Sequence, residues 1–147
     1  MPPGVTHDEH LAQIDKEAAK KRGAAAMGFD QDKAVHHFLL TESGGTIQVE
    51  VTDTRDRATR DAIGRHLLEI SHEFARGVFD KPLATHAEVP PGVPTMQRLN
   101  QSITFAFQET DRGARVLIET SNADAIAAIH DFLRYQIREH ATGDPLR

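Results

Sequence analysis

Two stretches of the chain follow the same pattern of apolar and polar positions. Residues 34–41 form an apolar run suited to a β-strand, and Glu42-Ser43-Gly44-Gly45 reads as a hairpin turn whose glycines can take positive φ. Thr46 to Thr52 then alternates, with Ile47, Val49 and Val51 on one face and Gln48, Glu50 and Thr52 on the other. Asp53 or Thr54 is placed to cap a helix over Arg55 to about Phe79, where Ile63, Leu67, Ile70 and Phe74 share a face. Residues 80–99 carry Pro82, Pro90, Pro91, Gly92 and Pro94, which exclude a regular element for most of this connection. The pattern then repeats. Ser102 to Gln108 is a strand, Thr110-Asp111-Arg112-Gly113 a turn, and Arg115 to Thr120 the return strand. Asn122 caps a last helix to about His140, striped by Ile126, Ile129, Leu133 and Ile137 and ended by Gly143 and Pro145.

The chain therefore reads as two ββα units, 33–79 and 100–143, within one α+β domain over residues 33–147. The pattern predicts a four-stranded antiparallel sheet with two helices on one face. It pairs Phe38 and Leu40 with Phe105 and Phe107, Ile47 and Val49 with Val116 and Ile118, and Asp53 with Asn122. On the helices it pairs Ile63, Leu67, Ile70 and Phe74 with Ile126, His130, Leu133 and Ile137. Ahead of the domain, residues 1–32 read as a polar helix over His7–Arg22, with Thr6 and Glu9 as its capping box, followed by a linker. The other sheet face carries His37, Leu39, Gln48, Glu50, Thr104, Ala106, Gln108, Leu117 and Glu119. Being half polar, it suits a cover by the N-terminal helix, a second copy of the chain or a ligand.

Composition narrows the function classes. At 147 residues the chain is long enough for a core without disulfides or structural metal, and it has no cysteine. Thiolate metal sites and cysteine nucleophiles are thereby excluded. A net charge of -5 argues against sequence-independent nucleic-acid binding, and no apolar run is long enough to span a membrane.

Nine histidines carry the remaining chemistry. His36, His66 and His130 fall on core-facing positions, and neutral imidazoles suit zinc or copper; a facing pair suits haem iron. Met27 or Met96 could add a thioether for Cu(I). Against this, a histidine at the border of an apolar stripe is more often a hydrogen-bonded core-edge residue, and no HExxH or helical His-x-x-x-His is present. A second candidate is the Pro-rich connection, where His86 and Glu88 could act as ligands or as acid and base, against the plainer reading of a rigid surface loop. A third is proton transfer by His37 with Glu50 or Glu119, against the plainer reading of an exposed strand histidine. His140 reads as a last-turn residue whose positive form favours the helix dipole.

The stretches Met27-Gly28-Phe29-Asp30-Gln31, His36-His37-Phe38, Pro90-Pro91-Gly92-Val93-Pro94 and Ala128-Ile129-His130-Asp131-Phe132-Leu133 together resemble a small family of bacterial proteins, often exported and without an assigned activity. The resemblance implies a periplasmic or extracytoplasmic setting if an export signal has been removed ahead of Met1; without one the chain reads as cytoplasmic. The leading expectation is a small binding protein with a transition metal or haem at His36, His66 and His130. The alternatives are a dimeric interaction or small-ligand module on the open sheet face, and a histidine-dependent hydrolytic or proton-transfer enzyme.

Overall fold

The computed structural model describes Phe29, residues 31–79 and residues 89–147. The N-terminal helix, Met27, His86 and Glu88 lie outside these residues. The described chain runs β1 (Ala34–Thr41), β2 (Gly44–Val51), α1 (Arg57–Ala75), α2 (Val93–Arg98), β3 (Ile103–Thr110), β4 (Gly113–Thr120) and α3 (Ala123–His140). Short 3-10 turns precede β1 and β3. The strands form one antiparallel sheet in the order β1-β2-β4-β3, with the two hairpins joined through β2 and β4.

The repeat is real, and its register is sharper than the sequence pattern suggests. Ile47 pairs with Val116 across the sheet centre, and Gly45 with Ile118 as Val49 does with Ala114. Strand positions of the two units therefore differ by a constant offset, which sets His36 opposite Val49 and Phe105 opposite Ile118 in equivalent places. His36 corresponds to Phe105 and Phe38 to Phe107, so the pairing of Phe38 with Phe105 is corrected by two residues. The helices follow a different offset because the first unit spends three more residues between strand and cap. Asp56, rather than Asp53 or Thr54, caps α1 by accepting from the Thr59 N–H, while Asn122 caps α3 by accepting from the Ala125 N–H. Counting from the caps, Ile63 matches Ile129, Leu67 matches Leu133, Phe74 matches His140 and Gly64 matches His130. The burial agrees, with Ile63, Leu67, Ile129 and Leu133 all at the centre of the core. The stripe pairing of Leu67 with His130 is thus corrected by three residues.

Each helix crosses to the other unit's strands. α1 packs mainly on β3 and β4, and α3 on β1 and β2. The two units share one core, so neither buries its apolar faces alone. Both hairpins turn in two residues, Glu42-Ser43 and Asp111-Arg112, with the glycines already inside the strands. Their role is close approach: a Cβ on Gly44 would collide with the Ile118 carbonyl, and one on Gly113 with the Val49 carbonyl.

The Pro-rich connection does contain a helix. Gly92, at φ 83°, caps α2, whose Pro94 lies in the first turn where its missing N–H costs nothing. α2 packs on α3 and buries Val93 and Met96.

Candidate functional site

Three sequence candidates are distributed as follows. His36 lies near the start of β1 on the helix side of the sheet, and His66 is buried on α1. Both meet the ring of Phe29, His36 stacked at 6.2 Å between centroids and His66 edge-on at 5.8 Å. His130 is elsewhere. Its Nε2–H donates to the Thr41 carbonyl at 2.7 Å, at the far end of β1. Five residues of extended strand separate Thr41 from His36, about 17 Å. The structure therefore brings His36 near His66 and leaves His130 out. Met96 is a core residue on α2 and does not line the cleft beside His36.

The partner that His36 does have is His140, the last residue of α3. The two imidazoles stack at 5.2 Å with planes 15° apart, and the Phe38 ring lies 5.4 Å from His140. In the other half of the core the equivalent places hold Phe74 and Phe105, whose rings meet edge-on at 5.9 Å. A phenylalanine pair that closes the core in one half is a histidine pair in the other. His140 was legible as a last-turn residue. The signal for its inward position is its spacing, seven residues after Leu133 and three after Ile137.

A cleft of about 340 Å³ opens beside this pair, lined also by Asp32, Val35, Ala141 and Thr142. His36 Nε2 is shielded from solvent and makes no hydrogen bond. Burial, with a smaller push from the neighbouring His37, lowers the His36 imidazole to about 4. At neutral pH the ring is uncharged. Among the described residues no three histidine, aspartate or glutamate side chains are gathered as a preformed metal centre.

The C-terminal segment forms one wall. Ala141 ends α3 in the left-handed region at φ 50°, and Gly143 at φ 77° turns the chain back along β1. Asp144 then accepts from His37 Nδ1–H at 2.9 Å and from the Phe38 N–H at 3.1 Å. Partial burial works to raise the Asp144 carboxyl, but hydrogen bonds from Thr142, His37 and the Phe38 N–H hold it below the usual carboxylate range. The expected partners of His37, Glu50 and Glu119, are replaced by this aspartate. Glu50 instead accepts from Gln48. On the open sheet face Val35 and Leu39 flank His37 and are exposed.

No helix among the described residues is long and apolar enough to cross a membrane. Comparison with family models, curated proteins and solved structures finds no match to the chain.

Proposed function

We propose that this is a small binding protein that holds a transition-metal ion, copper or zinc, in the cleft beside His36 and His140. One observation carries the reading: the Nε2 of His36 is buried without a hydrogen-bond partner. An orphaned buried polar atom costs about 1–3 kcal/mol. The other half of the core avoids that cost by placing phenylalanines, Phe74 and Phe105, at both positions. An imidazole nitrogen left unpartnered inside a folded protein is well suited to a Lewis acid.

The chemistry of the donors agrees. A neutral imidazole is the form that ligates metals, and burial keeps His36 neutral well below pH 7. His140 and the Asp32 carboxylate line the same cleft and supply a second nitrogen and an oxygen. Nitrogen and oxygen donors without sulfur suit zinc or copper(II). His37 and Asp144 hold the wall of the cleft rather than its donors.

The test is calorimetric titration of tag-free, metal-free protein with copper(II) and with zinc. One ion per chain is expected. The double variant His36→Phe/His140→Phe copies the Phe74–Phe105 pair of the other half of the core, so it folds and loses the ion. Failure of the parent to bind either metal, or unchanged binding by the double variant, sinks the proposal.

A further inference from the structure

The register that sets His140 at the place of Phe74 also sets Gly64 at the place of His130. In one half of the core His130 fills the space between α3 and the β1–β2 hairpin, its ring reaching the Thr41 carbonyl at 2.7 Å. In the other half the matching space, between α1 and the β3–β4 hairpin, has no plug. Gly64 stands mid-helix, where a Cβ would meet nothing within 4 Å. The result is a groove of about 570 Å³. Thr110, the counterpart of Thr41, lines it, and its hydroxyl is buried without a hydrogen bond.

The walls of this groove carry both signs of charge. Arg60 and Arg65 line it from α1, with Asp61 between them in sequence. Glu109 on β3 and Asp111 in the turn line it from the hairpin, and Leu68 and Phe107 add apolar surface. Among the described residues Arg60 makes a loose 3.9 Å ion pair with its neighbour Asp61. A mid-helix glycine costs about 0.5–1 kcal/mol relative to alanine. Here it keeps open a volume that the other unit closes with an imidazole.

We propose that the groove is a second binding site, for a small zwitterionic amino acid with a planar, nitrogen-bearing side chain, and that free L-histidine is the probe for it. The side chain of the ligand takes the place that the His130 ring takes in the other unit and donates toward Thr110. Its carboxylate meets Arg60 and Arg65, since guanidinium groups bind carboxylates through paired N–H donors. Its ammonium group meets Glu109. None of these residues lines the His36 cleft, so the inference stands apart from the metal reading.

The experiment is an amide-NMR titration of metal-free protein with L-histidine, with imidazole and acetate as separate controls. Saturable shifts at Gly64, Arg65, Thr110 and Gly113 are expected, with a Kd between about 10 µM and 1 mM. Imidazole or acetate alone should bind at least about tenfold more weakly. Gly64→His supplies the missing plug and should abolish the shifts. Arg60→Ala/Arg65→Ala changes only the helix surface and should weaken binding at least about tenfold. No saturable shift at about 10 mM L-histidine overturns the site. So does full binding by the double-alanine variant. Imidazole binding as tightly as L-histidine overturns the zwitterion assignment.

Discussion

His37 and Asp144 are 107 positions apart in the chain and 2.9 Å apart in the fold. The second oxygen of the same carboxylate takes the Phe38 N–H, on the edge strand β1. An edge strand presents unpaired backbone groups, and a covering segment is one of the ways proteins protect it. Asp144 holds that cover in place, and with it the wall of the His36 cleft.

Asp144→Ala removes both contacts. Hydrogen bonds to a charged partner are worth about 1.5–3 kcal/mol each when well shielded, and these are only partly shielded, so a total loss of about 1–3 kcal/mol is expected. Urea unfolding measures it. Amide exchange at Phe38 should accelerate while that at Val49, inside the sheet, changes only with global stability. Unchanged protection at Phe38 would show that the segment does not hold the edge.

Stability should fall on mild acidification, and His36 sets the window. Its folded value of about 4 lies below the ordinary histidine value of 6.5, so the unfolded chain takes the proton first. The contribution is complete above pH 6.5, declines between 6.5 and about 4, and is absent below that range. At about 1.4 kcal/mol for each tenfold in proton affinity it amounts to about 3 kcal/mol. The measurement is the stability difference between the parent and His36→Phe at pH 7 and pH 4.5. The variant should gain on the parent as the pH drops, and a constant difference would contradict the burial of that ring.

The two ββα units, the strand faces and the Asn122 cap were legible from period and turn chemistry alone. The register between the units was not. Three extra residues before Asp56 shift the helical offset against the strand offset, and an apolar stripe repeating every three or four residues tolerates a three-residue slip unnoticed. That slip hid two correspondences, His140 with Phe74 and Gly64 with His130. The three-histidine reading failed to gather His130 for a related reason. A helical position facing the sheet says nothing of which end of a strand it meets, and the helices cross to the opposite units. Asp144 was hidden because a tail's path around a sheet edge depends on two left-handed residues, Ala141 and Gly143, of which only the glycine has a sequence signal.

His130→Gly should open a second groove by copying the first unit. It removes the contact with Thr41 and places glycine inside α3, so about 1–3 kcal/mol of stability should be lost. The variant should still fold, because Gly64 is accommodated at the matching place in α1. Thermal unfolding reads the loss. A gain in stability would mean that the imidazole is strained against the hairpin rather than supporting it.

Two glycines should respond to alanine with opposite signs. At Gly64 the new methyl meets nothing within 4 Å, so only the helix preference changes and stability should rise by about 0.5–1 kcal/mol. In a domain of this size that is about 1–4 °C in Tm. At Gly113 the methyl would collide with the Val49 carbonyl, and both lie in the two central strands. Neither strand can move without disturbing Ile47 and Val116, which meet where the two halves of the core join. Gly113→Ala should therefore cost about 2–4 kcal/mol. Gly44→Ala should cost more still, since a methyl there would collide with the Ile118 carbonyl and the φ of 149° is one that L side chains rarely adopt. Paired melting curves of the three variants give the result. A loss at Gly113, a larger one at Gly44 and a gain at Gly64 would show that the repeat is held at its centre by backbone contact. Tolerance at either strand glycine would show that the central strands have room to separate, and the fixed register between the units would need another cause.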